Sequence, residues 1–247
     1  MSNIEVKKYW DNDTTESMYD KNLLEIETEA VLAFLDRSDS VIDIGCGEGE
    51  GTVRYFEKVR ELLALDYSET RLEKLKSKNS KIDTIRMDMR EVSCESTKKK
   101  FTKAITQRSL VNLESFDEQK KAIKAIHSLL EDAGRYIMLE GFNDGVTVVN
   151  KIRTEFSLPP IGVKWHNVFF NKKELLEFTR PYFELVEERD FSTYFFMTRV
   201  FNAILKHPNI PKWDDEVNML AKKMEIAYKN RFIKGISRLE LLVFKKR

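Results

Sequence analysis

Three glycines at alternate positions, preceded by an aspartate, form the most informative motif of the sequence. They are Gly45, Gly47 and Gly49, which follow Asp43 in the stretch VIDIGCGEG of residues 41–49. Glycines at the end of a buried strand let backbone amides approach a ligand without a Cβ in the way. The motif therefore predicts a nucleotide-like ligand at this turn.

The glycine spacing differs from the GxGxxG fingerprint of dinucleotide-binding proteins. That fingerprint needs a glycine where Glu50 stands or, counted from Gly47, a small residue where Thr52 stands. Glu48 and Glu50 would also repel a pyrophosphate, whereas they would tolerate a cationic ligand. An NAD-dependent dehydrogenase is therefore disfavoured.

The sequence resembles the class I S-adenosylmethionine-dependent methyltransferases over roughly residues 31–140. Their first motif, an acid followed by GxGxG, is matched by the glycine turn. The resemblance implies S-adenosyl-L-methionine as cofactor, with Asp66 on the ribose hydroxyls and Tyr67 beside the adenine. It also implies that the adenine is recognised by the Asp88 carboxylate and by a backbone amide at Met89.

The cofactor-binding residues share one expected place, the carboxyl edge of the sheet. A carboxylate suits a vicinal diol, because each of its oxygens accepts one hydroxyl hydrogen. The alternative for Asp66 and Asp88 is that each caps the helix that follows it. The expected cofactor-binding residues are Asp43, Gly45, Gly47, Gly49, Asp66, Tyr67, Asp88, Met89, Gln107 and Tyr19.

The segment after the fourth strand, Thr106 to Leu113, bears on the methyl acceptor. It lacks the Asn-Pro-Pro-Tyr or Asp-Pro-Pro-Tyr quartet of the family's amide- and adenine-methylating enzymes, and it lacks a Pro-Cys nucleophile for cytosine. Lys and Arg total 42 against 41 Asp and Glu, so no excess of positive charge indicates nucleic acid as a partner. A small-molecule methyl acceptor is expected instead.

Methylation of an alcohol needs a base, and histidine accepts protons near neutral pH. His166 follows the fifth strand, where the resemblance places substrate-binding segments, and it is the expected general base. Glu140, at the end of that strand, is the alternative base or substrate ligand. The expected reaction is O-methylation of a small metabolite or sugar derivative, with an anionic acceptor as a further hypothesis. N-methylation of a small amine and non-catalytic binding of the cofactor are the alternatives.

Aromatic and basic residues are the expected contacts of the acceptor. The N-terminal aromatic residues resemble the family's lid segment, where ring faces also contact the sulfonium, although simple packing on the sheet is the alternative. Arginine would bind a carboxylate or phosphoryl group in bidentate fashion. The expected substrate-binding residues are Tyr9, Trp10, Arg108, Trp165 and Arg199.

Alternating strands and helices must position these residues. Strand patterns occur at residues 40–44, 62–65, 82–87, 101–106, 135–139, 183–191 and 239–244. Helical patterns occur at 21–35, 53–59, 68–76, 117–130, 172–178, 198–205 and 215–232, and Gly134 is expected to end the fourth of them. The order predicts an α/β fold, a doubly wound, mostly parallel seven-stranded Rossmann-like sheet with a helical cap inserted late in the chain.

A single methyltransferase domain, residues 1–247, is expected. Its parts are an N-terminal lid segment at 1–30, a cofactor-binding core at 31–141, and substrate-cap insertions at 142–170 and 192–238. No apolar stretch approaches the ~18 residues that span a bilayer, and the start lacks the apolar core of a signal peptide. The two cysteines are not spaced for a disulfide framework or a zinc site. A cytoplasmic protein with no metal and no membrane partner is expected.

Overall fold

A seven-stranded sheet forms the centre of the computed structural model, which describes residues 3–12, 18–229 and 233–247. Its strands are β1 (Ser40–Ile44), β2 (Glu61–Asp66), β3 (Asp83–Arg86), β4 (Phe101–Gln107), β5 (Leu130–Gly141), β6 (Phe183–Asp190) and β7 (Leu239–Lys246). Their order across the sheet is β3-β2-β1-β4-β5-β7-β6. Strands β1 to β5 are parallel, whereas β7 is antiparallel to both of its neighbours. The predicted seven-stranded, mostly parallel sheet is confirmed.

Helices connect the strands and cover them. They are α1 (Asn3–Asp11), α2 (Lys21–Leu32), α3 (Thr52–Lys58), α4 (Glu69–Lys78), α5 (Cys94–Thr97), α6 (Phe116–Leu129), α7 (Asn143–Glu155), α8 (Lys172–Thr179), α9 (Ser192–Phe196), α10 (Asn202–Lys206) and α11 (Glu216–Tyr228). A π-helical turn, Met197–Phe201, joins α9 to α10, and a 3-10 turn, Leu110–Asn112, follows β4. Within the described ranges, none of these helices has the length and apolar character needed to cross a bilayer.

Two apolar clusters pack on opposite faces of the sheet. Successive strand residues point to opposite faces, so that Ile137 joins the cluster beneath α2, α9 and α11, whereas Met138 joins the cluster beneath α6 and α8. All five residues of β1 are buried. Helices on both faces explain why the central strands are nearly continuous apolar runs, as is typical of parallel sheets.

Several predicted helix ends differ from the structure, and two of them concern the sheet and its cover. The first helix ends at Leu32 rather than at residue 35. The helix predicted to be ended by Gly134 already ends at Leu129, and β5 begins at the next residue. Gly134 lies inside β5, opposite a shift of register in β4. A Cβ there would lie 2.9 Å from the carbonyl oxygen of Glu131, so this irregular stretch of the strand requires glycine.

A helix, α7, occupies part of the region 143–170, for which the sequence showed no period. Its buried residues are Gly145, Val149 and Arg153, one stripe at a spacing of four. Only one member of that stripe is a large apolar residue, so the helix lacks the hydrophobic periodicity by which a helix is recognised in a sequence.

Candidate active site

A cavity of about 350 Å³ lies at the carboxyl edge of the sheet. The strand order reverses between β1 and β4, because β2 and β3 lie on one side of β1 and β5 lies on the other. Open α/β sheets bind ligands at such a reversal, outside the carboxyl ends of the strands. The ends of β1 to β5, helix α1 and the segments after β5 and α9 all contribute to the wall.

The structure brings most of the predicted site residues to this one cavity. Those that line it are Asp43, Gly45, Gly47, Asp66, Tyr67, Asp88, Met89, Gln107, Tyr19, Trp10, Arg108, His166 and Arg199. Those that do not are Gly49, Tyr9, Trp165 and Glu140.

The glycines of the turn differ in what they do. Gly45, Gly47 and Gly49 have φ angles of +75°, +54° and +78°, in the left-handed region that glycine adopts without strain. A Cβ on Gly45 would lie 2.3 Å from the Cβ of Ser109, and one on Gly49 would lie 2.2 Å from Leu75. A Cβ on Gly47 would meet nothing within 4 Å. Gly45 and Gly49 therefore pack the turn against the fold, whereas Gly47 leaves room in the cavity wall.

Two buried carboxylates flank the turn. The oxygens of Asp66, at the end of β2, accept the backbone N–H groups of Gly47 and Ser68, each at 2.9 Å. Asp43 accepts the hydroxyl of Thr52 at 2.6 Å. Burial raises the pKa of Asp43 to about 7 and also raises the pKa of Asp66. Each oxygen of Asp66 keeps an acceptor site, so its carboxylate fits the ribose diol of the expected cofactor.

Asp88 lines the cavity but is already paired with cations. Arg90 donates to its two oxygens from Nε at 2.9 Å and from Nη2 at 2.6 Å, and Lys7 Nζ lies 3.3 Å away. Burial alone would raise the pKa of Asp88, but these hydrogen bonds and charges lower it to about 2. An adenine amino group would therefore have to share the carboxylate with Arg90 and Lys7.

The ring of His166 is held in the cavity wall. Its Nδ1 lies 3.2 Å from Oδ1 of Asn112, which also lies 3.1 Å from the indole nitrogen of Trp10. An indole N–H can only donate, so this oxygen is an acceptor and Nδ1 of His166 carries the proton. The ring of Tyr9 stacks on the imidazole at 4.5 Å between centroids. Nε2 is then an unprotonated acceptor, and none of the described residues bonds to it.

Tyr9 and Trp165 do not line the cavity but lie behind its wall. Both contact the imidazole of His166, with centroid distances of 4.5 and 5.5 Å. The expected direct contact of these two rings with the acceptor therefore does not fit this arrangement. Their contacts instead fix the plane of the imidazole.

Glu140 does not reach the cavity, so its expected role as alternative base is corrected. Its buried carboxylate accepts three backbone N–H groups of residues 109–111 at 3.1, 3.0 and 3.3 Å. Burial raises the pKa of Glu140 to about 7 in spite of these bonds. The side chain anchors the 3-10 turn that follows β4.

Sequence reasoning missed three residues that shape the site. Asn112 orients His166, as described above. Glu27, fully buried on α2, accepts the Gln107 amide at 2.9 Å and forms a bidentate pair with Arg108, one arm of which measures 3.0 Å. Arg238 lines the cavity just before β7. Of these three residues, only Glu27 could have been noticed in the sequence, because it is an acid within the apolar stripe of α2.

Helix α1 lies over the cavity and is fastened to its rim. The Tyr67 hydroxyl donates to the carbonyl of Lys7 at 3.2 Å, and Arg71 Nε donates to the carbonyl of Trp10 at 2.7 Å. The Arg71 guanidinium also lies over the Trp10 ring, 4.9 Å from its centroid. Of the predicted lid segment 1–30, α1 is on the cavity, whereas α2 packs into the core.

Residues 41–134 match a family model described as a methyltransferase domain. The matched stretch runs from β1 to the first part of β5 and therefore includes the carboxyl ends of β1 to β4, which line the cavity. No protein with curated annotation matches the chain.

Solved structures share the fold over almost the whole chain. The N-methyltransferase NodS from Bradyrhizobium japonicum, with S-adenosyl-L-homocysteine bound, has a TM-score of 0.59 at 14% identity and covers 99% of this chain and 97% of its own. The magnesium protoporphyrin IX methyltransferase ChlM from Synechocystis, also with S-adenosylhomocysteine, has a TM-score of 0.61 at 12% identity, covering 99% and 94%. Because the methyltransferase-domain match lies on the strands that form the cavity, residues 41–134 are identified as a methyltransferase domain, and the whole chain has the fold of these solved methyltransferases.

Proposed function

We propose that the chain transfers the methyl group of S-adenosylmethionine to a hydroxyl oxygen of a small molecule bound beside His166. The observation that carries this proposal is the unprotonated Nε2 of His166, a buried atom that has no hydrogen-bond partner among the described residues. His166 lines the same cavity as Asp66. The cofactor supplies a methyl group on a positively charged sulfur. The chain holds the acceptor oxygen in line with that methyl group and takes up its proton.

The protonation state of His166 suits this role. Burial and the charge of Lys164 lower the pKa of His166 to about 4, so the ring is neutral near pH 7. A base of this strength does not ionise an alcohol beforehand, so the proton moves to Nε2 as the new C–O bond forms. With S-adenosylmethionine bound, loss of its methyl group to the acceptor oxygen would leave S-adenosylhomocysteine and the methyl ether, and His166 would hold the released proton as an imidazolium.

A small acceptor is supported by the enclosure of the site. The two segments predicted as substrate caps, 142–170 and 192–238, supply wall residues on the side of β5, among them Phe169 and Arg199, and α1 covers the cavity. We therefore assign these segments to the acceptor side. ChlM is named for a small-molecule acceptor, and a net charge of +1 gives no support to nucleic acid.

Methylation of an amine is the second candidate, because NodS is named an N-methyltransferase. A neutral amine attacks with its own lone pair and needs no base before the bond forms. The unpartnered acceptor nitrogen of His166 therefore favours a hydroxyl over an amine.

The experiment is a screen of matched acceptors that differ only in hydroxyl or amine, with S-adenosylhomocysteine release as the readout. We expect the hydroxyl member of a productive pair to be methylated faster, and that rate to fall in His166→Gln. The matched control is His127→Gln, a histidine that packs against Tyr182 and Phe183 away from the cavity. Turnover confined to amines and indifferent to His166→Gln would favour N-methylation.

A further inference from the structure

Arg238 is placed by the topology at the acceptor side of the cavity. Strand β7 is antiparallel to β5, so its first residue, Leu239, pairs with Gly141 at the carboxyl end of β5. The residue before it therefore lies at the ligand edge of the sheet. The backbone N–H of Phe142 donates to the Arg238 carbonyl at 2.7 Å, and the side chain of Arg238 lines the cavity.

The guanidinium of Arg238 has no anionic partner among the residues that the structure describes. Its Nε is buried and makes no hydrogen bond, although a guanidinium has five N–H groups to donate. Burying a charged group without a partner is costly. Such an arrangement is typical of a group whose partner is a ligand.

The neighbouring carboxylates are committed to other cations. Glu27 is held by Arg108 and by the Gln107 amide. Asp20 accepts Arg199 Nη2 at 2.6 Å and also accepts the Tyr194 hydroxyl at 2.7 Å. The unpaired arginine is therefore left with no local anion to neutralise it.

The charges around this end of the cavity do not balance. The charged groups that act on Arg238 are Arg108, Arg199, Glu27 and Asp20. With Arg238 itself, three arginines stand against two carboxylates, so one positive charge remains. Burial, together with the other two arginines, lowers the pKa of Arg238 to about 10, at which it is still charged at neutral pH. The excess charge is consistent with an anion of the ligand as its counterpart.

We propose that Arg238 binds an anionic group, a carboxylate or phosphoryl group, of the methyl acceptor. This inference rests on the proposed function, because it places the acceptor on the side of the cavity next to β5 and β7. The planar fork of a guanidinium donates two parallel N–H groups to two oxygens of such an anion. The same small molecule then carries an anion on Arg238 and its hydroxyl beside His166.

The carboxylate of the cofactor is the other possible source of an anion, and the experiment separates the two. Protein saturated with S-adenosylhomocysteine is titrated with benzoate, phenyl phosphate or the neutral benzamide. The side-chain Nε–H signal of Arg238, assigned by its absence from Arg238→Gln, is followed by NMR. We expect an anion to move that signal and benzamide to leave it in place. No shift with either anion, or an equal shift with benzamide, would overturn the proposal.

Affinities measured by calorimetry complete the test. We expect Arg238→Gln to weaken benzoate or phenyl phosphate binding by about tenfold or more while S-adenosylhomocysteine binds within about twofold of wild type. The control is Arg135→Gln, an exposed arginine where the pairing of β5 with β7 begins, at the opposite end of that pairing from Arg238. A tenfold loss of S-adenosylhomocysteine affinity would assign Arg238 to the cofactor and overturn the proposal. Because no turnover is measured, a failed acceptor screen would not be confused with either result.

Discussion

Asp66 is the residue through which we propose that the ribose of the cofactor is recognised. It is buried at the end of β2, its orientation is fixed by two backbone N–H groups, and both oxygens keep acceptor sites. We expect Asp66→Ala to weaken binding of S-adenosylhomocysteine by ~1 to 3 kcal/mol, because the ribose hydroxyls lose their acceptor in a buried site. Calorimetry checks this, with the exposed Glu73→Ala on α4 as control. An unchanged affinity would remove Asp66 from the ribose.

Replacing His166 separates two mechanisms. In one the residue removes the proton of a hydroxyl acceptor, and in the other the protein needs only to position the acceptor. We expect His166→Ala to lower turnover by ~10² to 10⁴ while cofactor affinity is kept, because the proton of the acceptor then has no base. The rate constant at saturating cofactor checks the first part and calorimetry the second. A loss below tenfold would show that positioning is enough, as for an acceptor that is already ionised.

The pH dependence of the reaction follows from the shifted pKa of His166. Burial and Lys164 lower this pKa to about 4, so the base is neutral above that value and becomes protonated below it. Activity should therefore be lost as the pH falls through about 4, rather than through 6.5, the ordinary value for histidine. The measurement is kcat/KM against pH in wild type and His166→Gln. An acid limb centred at the ordinary histidine value in wild type contradicts the assignment.

At the scale of elements, the glycine turn depends on close packing as well as on its backbone conformation. We expect Gly45→Ala to lower the free energy of unfolding by at least ~1 to 3 kcal/mol, because its positive φ strains alanine and its Cβ would meet Ser109 at 2.3 Å. Urea unfolding measures the change. Gly162→Ala is the control, since a Cβ there meets nothing within 4 Å. Equal stability of the two variants would contradict this account of the turn.

Helix α1 is the element expected to respond to ligand. It touches the rim through Lys7 and Trp10, and both residues also line the cavity. A bound cofactor should add contacts to the inner face of α1, so trypsin should cleave after Lys7 and Lys8 more slowly when S-adenosylhomocysteine is present. Timed digestion read by mass spectrometry checks this. Equal cleavage with and without ligand would rule out closure by α1.

At the scale of the whole molecule, local patterns predict the sheet well and the acceptor side poorly. The strand at 40–44 was predicted to the residue, because a buried strand that runs into glycines has a strong local pattern. Helix α7 was not predicted, because its buried stripe of Gly145, Val149 and Arg153 contains one large apolar residue.

The site residues, too, were predicted where a local pattern marks them and missed where none does. Asp66 could be predicted from its position at a strand end. Arg238 could not, and for Glu27 the sequence showed only an acid within an apolar stripe, because their partners lie on elements far apart in the sequence that the fold brings to one cavity. Glu140 also ends a strand, yet its carboxylate turns to the backbone of residues 109–111, which no local pattern reveals.

We propose that one cavity holds S-adenosylmethionine with its methyl group directed at an acceptor beside His166. A crystal structure of the S-adenosylhomocysteine complex tests it most directly. We predict the ribose hydroxyls on the carboxylate of Asp66, and the sulfur facing His166 with room for one acceptor group between them. A ribose bound elsewhere, a sulfur turned away from His166, or a homocysteine carboxylate bound to Arg238 would contradict the account.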